Sequence, residues 1–171
     1  MSDLPPLIVT AALDDGAFAW FEDLRQSHFP RLRNKVPAHL TLFHALPGEH
    51  EREVARTLKA ACQRRSAFPL DVRGPWSLGR GVAYKLASSD LEGLRKELAE
   101  SFSPWLTRQD SSPYRPHITV QNKVEPDEAR LLLETLQLEF EPFQIFAEGL
   151  MLWRYLGGPW ALVERFEFEA P

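Results

Sequence analysis

The chain has 171 residues, of which 44% are hydrophobic and 26% are charged, and its formal net charge is −4 at pH 7. This composition indicates a folded protein with a substantial apolar core and excludes a disordered chain. The mild acidity argues against a protein that coats nucleic acid by bulk electrostatics, although it is compatible with a small or terminal nucleic-acid substrate.

The single cysteine, Cys62, has no partner for an internal disulfide, and it is interpreted as a small core residue because it falls in a helix-like run. No apolar stretch approaches the ~20 residues of a membrane span, and the N-terminus has no positively charged region before an apolar run. The sequence therefore predicts a cytoplasmic monomer without a signal peptide and without membrane contact.

The first half of the chain predicts alternating strands and helices. The β-branched run at residues 7–13 is typical of a buried strand, and Asp14 or Asp15 after it can cap a helix. The remaining predicted elements of this half are a strand at 38–46, an amphipathic helix at 50–65, and strands at 68–79 and 81–88 that are joined by a glycine turn.

The second half repeats the order of helix, strand, helix, strand and strand. Its predicted elements are a helix at 89–105, a polar loop at 108–116, a strand at 117–124, a helix at 125–138, and strands at 143–156 and 160–169. The repetition predicts an internally duplicated, two-lobed α+β fold, with antiparallel sheets that face a central cleft and helices on the outside. We expect one bilobal domain over residues 1–171, with pseudo-repeats roughly at 1–88 and 89–171.

The pattern His-x-Thr occurs twice, as His39 with Thr41 and as His117 with Thr119, about half the chain apart. Successive side chains on a strand point to opposite faces, so the polar pair of each motif shares one face while the intervening apolar residues face the core. Two such strands that meet across a cleft would surround one small volume with two imidazoles and two hydroxyls.

This set of groups suits the hydrolysis of a phosphodiester. One neutral imidazole can act as a base while a second, protonated one acts as an acid, and threonine hydroxyls can donate hydrogen bonds to the non-bridging oxygens. The sequence has no cysteine pair, no histidine or carboxylate cluster with metal-ligand spacing and no glycine-rich phosphate loop. We therefore expect chemistry that needs neither a metal nor another cofactor.

The segments "HLTL" at 39–42 and "PHITV" at 116–120, with the closing hairpin "GLMLWRYLGGPWALVERFEF", resemble the two-histidine (2H) phosphoesterase superfamily. Within it, the chain is most similar to the bacterial 2′-5′ RNA ligase-like proteins, which act as RNA 2′,3′-cyclic phosphodiesterases. The resemblance implies that His39 donates a proton and His117 accepts one. It also implies that Thr41 and Thr119 hold the phosphate oxygens, and that the site could run in reverse as a 2′-5′ ligase.

Further substrate contacts are predicted at four positions. Regular alternation would place Phe43 and Gln121 in the cleft, where Phe43 could stack on a base and Gln121 could bind the substrate. Packing between the lobes and solvation are the respective alternatives. Arg115, two residues before His117, could attract a phosphate or be a solvated surface charge. Tyr84 could stack on a ring or donate its hydroxyl, and it is otherwise a core or rim residue.

Two more aromatic or imidazole side chains are assigned outside the site. Alternation places His44 on the face opposite His39, as a structural or exposed residue, and Trp160 is interpreted as a core residue of its strand.

Three hypotheses follow for the function. The leading one is a metal-independent phosphoesterase that hydrolyses a 2′,3′-cyclic phosphate at an RNA end or on a nucleotide. The second is a small-molecule phosphodiesterase for a cyclic nucleotide or an ADP-ribose cyclic phosphate. The acidity favours this hypothesis, and Tyr84 argues against RNA because RNA-active relatives often carry Trp at that position. The third is a non-catalytic RNA- or nucleotide-binding module.

Overall fold

The structure is a computed structural model that describes residues 3–171. Strands and helices alternate through the first half and again through the second. The strands are β1 (Leu7–Leu13), β2 (Thr41–Leu46), β3 (Phe68–Ser77), β4 (Val82–Ala87), β5 (His117–Gln121), β6 (Phe143–Tyr155) and β7 (Trp160–Glu167). The α-helices are α1 (Asp15–His28), α2 (Glu51–Gln63), α3 (Ser89–Ser101), α4 (Arg108–Ser111) and α5 (Pro126–Glu139).

The predicted element order is confirmed, with small changes at the ends. Asp14 is the residue that caps α1, since its carboxylate accepts a 2.8 Å hydrogen bond from the backbone N–H of Ala17. Ser88 caps α3 in the same way. The strand predicted at 38–46 begins only at Thr41, so His39 lies just before β2, and the polar loop at 108–116 contains the one-turn helix α4.

The seven strands form one continuous antiparallel sheet in the order β2-β1-β6-β3-β4-β5, with β7 paired to β6. The long strand β6 joins the two wings of this sheet. Along one edge it pairs with β1, and along the other it pairs first with β3 and then with β7. The two motif strands, β2 and β5, therefore lie at the two ends of an open sheet.

The α+β class with antiparallel strands is confirmed, and the structure refines how the two halves combine. Strand β5 of the second half pairs with β4 of the first half, and β1 of the first half pairs with β6 of the second. Each wing of the sheet is thus built from both pseudo-repeats, and the two expected sheets are the two wings of one sheet. Through this exchange β5 pairs directly with the opposite half of the chain, whereas β2 is joined to it through β1 and β6.

The core lies between the sheet and the helices that cover its outer face. Helix α1 packs on β5, and α2 packs near β6 and β7, so each helix shields a strand of the other half. The largest fully buried side chains include Phe21, Phe43, Phe102, Leu58 and Leu94. In residues 3–171, no helix is long and apolar enough to cross a membrane.

Candidate active site

Both His-x-Thr motifs line a single cavity of about 440 Å³ between the two wings of the sheet. The four motif side chains that the sequence singled out are all present in its wall: His39, Thr41, His117 and Thr119. A volume of this size suits a small ligand such as a nucleotide. The fold therefore brings together residues that are half a chain apart in sequence.

The two motif histidines are held in the same way. The Nδ1 atom of His39 lies 2.8 Å from the carbonyl oxygen of Pro37, and the Nδ1 atom of His117 lies 2.8 Å from that of Arg115. A carbonyl oxygen only accepts hydrogen bonds, so Nδ1 must carry the proton in each ring. In a neutral ring this leaves the lone pair on Nε2, the nitrogen that can take a proton from a substrate or from water.

Burial sets the charge of His39. Desolvation lowers the pKa of His39 to about 4, although the hydrogen bond to Pro37 acts in the opposite direction. Arg25, His117 and His44 lower this pKa further through their electrostatic interaction with the ring. His39 is therefore neutral at pH 7 in the absence of a bound anion.

Each motif strand carries a β-bulge directly after its threonine. In β2, Thr41 pairs with Thr10 but Phe43, two residues later, pairs with the very next residue of β1, Val9. In β5, Thr119 pairs with Ala83 and Gln121 pairs with Val82. The extra residue after each threonine reverses the alternation at that point, and the two motifs thus share a backbone irregularity as well as a sequence pattern. Strand β2 has a further register shift between Phe43 and Leu46.

The bulges overturn two of the predicted substrate contacts. Phe43 is fully buried in the core, where it packs against Phe102 and lies under the Arg95 guanidinium. Gln121 is also buried, and its Oε1 atom has no hydrogen-bond partner. Both predictions assumed a regular strand, whereas the inserted residue turns these side chains from the cleft to the core face.

Tyr84 does not reach the cleft either. It pairs with Ile118, whose side chain faces the core, and its ring lies among Trp20, Phe21 and Phe140. Burial raises the pKa of Tyr84 to about 12. Ile118 lies between His117 and Thr119, so its side chain points away from the cleft, and Tyr84 shares that face because residues paired across two strands do so. Tyr84 is therefore a core residue, which is the alternative that the sequence left open.

Arg115 lines the cavity as predicted, next to His117, and its side chain is exposed there. Trp160, which was interpreted as a core residue, lines the cavity too, and its ring centroid lies 4.6 Å from that of His39. Only the order of the strands in the sheet could have predicted this contact, because β7 pairs with β6 beside the wing that carries β2.

His44 is the functional candidate that sequence reasoning missed. The bulge that turns Phe43 inward turns His44 outward, and it lines the cavity together with Asp110. The Nδ1 atom of His44 lies 2.9 Å from Oδ1 of Asp110, which comes from the one-turn helix α4. No local pattern links these two residues, which are far apart in sequence.

Two buried arginines support the bulged strands from the opposite half of the chain. Arg25 of α1 donates to the carbonyl oxygen of Thr119 at 3.0 Å. Arg95 of α3 donates to the carbonyl oxygens of Leu42 and Asp110, at 2.8 and 2.7 Å. A bulge removes backbone groups from the strand ladder, and these guanidinium groups satisfy them inside the protein.

Tyr114 adds a third such contact, since its hydroxyl donates to the carbonyl oxygen of Thr41 at 2.8 Å. The carbonyl of each motif threonine therefore accepts a hydrogen bond from a side chain, Tyr114 in one case and Arg25 in the other. The two motif strands are fixed by equivalent contacts from different residues.

Within residues 3–171, no group of three or more His, Cys, Asp or Glu side chains is arranged to hold a metal ion. The three cavity histidines do not form such a group, and the Nδ1 atom of each is directed at a carbonyl or carboxylate oxygen. What the arrangement can provide is proton transfer through the two Nε2 atoms and hydrogen bonds from two hydroxyls.

A pair of His-x-Thr motifs on opposite wings of an antiparallel sheet is the arrangement of the two-histidine phosphoesterases. The chain belongs to the 2′-5′ RNA ligase superfamily, whose family model matches residues 13–159. This superfamily consists of phosphoesterases and ligases. A comparison with curated proteins by sequence finds no match.

Solved structures share the fold at low sequence identity. TT0787 of Thermus thermophilus is 17% identical, with a TM-score of 0.66 over 96% of this chain and 98% of that one. LigT of E. coli, in its complex with 3′-AMP, is 18% identical, with a TM-score of 0.63 over 98% of this chain and 100% of that one. A third structure, described as a phosphoesterase, is 17% identical with a TM-score of 0.61, over 98% and 100% of the two chains.

Proposed function

We propose that the protein is a metal-independent phosphoesterase that hydrolyses a 2′,3′-cyclic phosphate, at an RNA end or on a nucleotide, by general acid–base catalysis. The observation that carries this proposal is the placement of His39 and His117 in one cavity, each with Nδ1 bound to a carbonyl oxygen and Nε2 left for the substrate. The E. coli LigT structures in complex with 3′-AMP and with phosphate support a phosphate-bearing ligand for this protein.

In the proposed reaction, the cyclic phosphate lies between the two wings, and Thr41 and Thr119 donate hydrogen bonds to its non-bridging oxygens. Nε2 of His117 takes a proton from a water molecule, which attacks phosphorus in line with the departing ribose oxygen. Nε2 of His39 gives its proton to that oxygen as the P–O bond breaks. With the roles reversed, the same groups could form a 2′-5′ linkage.

The low pKa of His39 must rise before this residue can donate a proton. An anionic phosphate within hydrogen-bond distance favours the imidazolium form, so substrate binding and proton uptake by His39 are linked. The role of donor can be tested with an aryl phosphodiester, whose leaving group needs no proton. His39→Ala should then lose far less activity on the aryl ester than on the cyclic phosphate, whereas His117→Ala should lose activity on both.

The first experiment measures hydrolysis of a 2′,3′-cyclic nucleotide and of a short RNA ending in a cyclic phosphate, with a chelator present. Wild type is compared with His39→Ala, His117→Ala and the control His28→Ala, which lies outside the cavity. Turnover that survives the chelator and is lost in both motif variants is the expected result. Turnover that the chelator abolishes, or that either motif variant retains, contradicts the mechanism.

The second candidate is a phosphodiesterase for a small cyclic nucleotide or an ADP-ribose cyclic phosphate, and it is favoured by the net charge of −4. A preference for the nucleotide over the RNA in the same assay would support it. A binding module would bind both compounds without turnover. The monomeric state and the cytoplasmic location stay predictions from the sequence.

A further inference from the structure

A third histidine lines the cavity, and the repeated motif does not account for it. His44 follows the bulge of β2, and about 40% of its side chain is exposed towards the cavity that His39 and His117 also line. His44 is also one of the groups whose electrostatic interaction with His39 lowers the pKa of His39. The equivalent side of β5 carries no histidine, so His44 is specific to one half of the site.

Asp110 fixes the orientation of the His44 ring. Its Oδ1 atom accepts the Nδ1–H of His44 at 2.9 Å, and its two oxygens accept the backbone N–H groups of His44 and Ala45 at 3.0 to 3.1 Å. The carboxylate is almost fully buried, and burial acts to raise its pKa, but these hydrogen bonds outweigh burial and lower it. Asp110 is therefore ionised, and Nε2 is the His44 nitrogen left for a ligand, to which it donates a hydrogen bond when the ring carries both protons.

The charge on this side of the cavity favours an anion. Arg95 and Arg115 line the wall with His44, and the only carboxylate among the described residues that line it is Asp110. Both Asp110 oxygens are already occupied by N–H donors. The cavity wall is thus cationic in a protein whose net charge is −4, which concentrates anionic ligands there.

A cyclic phosphate carries one negative charge, and the two motif histidines and threonines are sufficient to bind it. His44 and Arg115 are then left without a partner on the substrate. We propose that these two side chains form a subsite for a second phosphate, on the 5′-oxygen of the nucleoside that bears the cyclic phosphate. This inference rests on the proposed function and deepens it, since it defines the substrate as a nucleotide with phosphates on both sides of its ribose.

A 5′-phosphate occurs on a free nucleotide and, as the internucleotide phosphate, at the end of an RNA. The two sources share one chemistry, so kcat/KM is measured for three substrates. They are a nucleoside 2′,3′-cyclic phosphate, the same compound with a 5′-phosphate, and a dinucleotide that ends in the cyclic phosphate. Wild type should favour the second or the third over the first by at least about tenfold, as a charge-assisted hydrogen bond implies. The favoured compound identifies the source.

The key variant is His44→Asn, whose amide can replace Nδ1–H towards Asp110 but has no atom at the position of Nε2. The preference for the second phosphate should fall to about twofold or less in this variant. His44→Gln, whose amide can reach the position of Nε2, should keep part of it, and the control His28→Asn should keep all of it. Arg115→Gln should reduce the preference as well.

Two results would overturn the subsite. One is a wild type that hydrolyses all three compounds with equal kcat/KM, and the other is a His44→Asn variant that keeps the full preference. A binding experiment that requires no turnover distinguishes a failure of the subsite from a failure of the proposed function. Calorimetry compares the affinity for a nucleoside 2′-monophosphate with that for the 2′,5′-bisphosphate, in wild type and in His44→Asn, and equal affinities in wild type would again reject the subsite.

Discussion

The two halves of the site share their local geometry but differ in their surroundings. In each half, a histidine Nδ1 is bound to the carbonyl two residues earlier, a threonine follows at the second position, and a bulge comes next. Each histidine lies beside a tryptophan ring, Trp160 for His39 and Trp76 for His117, but His39 is desolvated, whereas His117 pairs with Lys85 across the sheet. The two motifs thus hold their histidines in equivalent backbone settings, and burial lowers the pKa of His39.

The asymmetry has a consequence for catalysis by two histidines. Acid–base catalysis needs one neutral and one protonated ring at the same pH, and two identical environments would not distinguish them. The half-site of His39 also carries the His44–Asp110 pair, for which β5 has no counterpart. The difference between the halves therefore distinguishes two histidines whose motifs are nearly symmetric, and the proposed donor role of His39 depends on a bound anion that raises its pKa.

The largest effects should come from the motif histidines. His39→Ala and His117→Ala should each reduce kcat on a cyclic phosphate by about 10³-fold or more, since each removes one proton transfer. The kcat of the double variant should be only slightly lower than that of the less active single variant, because the two groups act in one step. Single-turnover kinetics measure this, and a double variant in which the two losses multiply would show that the halves work independently.

The motif threonines should come next. Thr41→Val and Thr119→Val keep the side-chain shape but remove one hydroxyl donor, and each should reduce kcat by about 10²-fold with a smaller change in KM. Similar losses are expected because both threonines follow their histidines at the same spacing. A loss in only one variant, in protein with the wild-type melting temperature, would show that a single half binds the phosphate oxygens.

Substitutions of the two buried arginines should lower the free energy of unfolding by different amounts in the two halves of the site. Arg95→Met leaves two carbonyl oxygens without a donor and Asp110 without a nearby cation, so it should lower the free energy of unfolding by about 2–4 kcal/mol. Arg25→Met leaves the carbonyl of Thr119 unpaired and should cost about 1–3 kcal/mol. Urea unfolding measures both, and Arg56→Met on the exposed face of α2 is the control.

The low pKa of His39 predicts a pH-dependent stability. In the unfolded chain this histidine binds a proton below about pH 6.5, whereas in the folded protein it stays neutral down to about pH 4. Stability is therefore lost as pH falls from 6.5 towards 4, by about 2 kcal/mol at pH 4.5. His39→Asn has no titrating ring and should lack this part of the loss. Equal losses of unfolding free energy in wild type and variant between pH 7.5 and 4.5 would contradict the assignment of this pH dependence to His39.

The smallest effect is expected at a position that the sequence placed in the site. Tyr84→Phe removes a hydroxyl that lies on the core side of β4, so kcat/KM should change by less than about twofold. Trp160→Phe, beside His39, is the matched aromatic change inside the cavity and should have a larger effect on KM. A reversed order of the two variants would mean that the substrate reaches the outer face of the sheet.

Much of this molecule is determined by local sequence. The element order follows from hydrophobic periodicity and capping residues, and the catalytic candidates follow from a motif that occurs twice on apolar strands. His39, Thr41, His117, Thr119 and Arg115 all line the cavity where the sequence predicted a site. Each of these features depends on residues that are close together in the chain, so a short segment is enough to predict it.

Tertiary structure decided the rest. The exchange of strands between the halves depends on pairing between residues more than 30 positions apart in the chain, which no segment encodes alone. The bulges after Thr41 and Thr119 reverse the alternation, so Phe43 and Gln121 enter the core and His44 enters the cavity. A bulge is stable here because side chains from distant elements satisfy its backbone groups, and those partners come into reach only when the chain has folded.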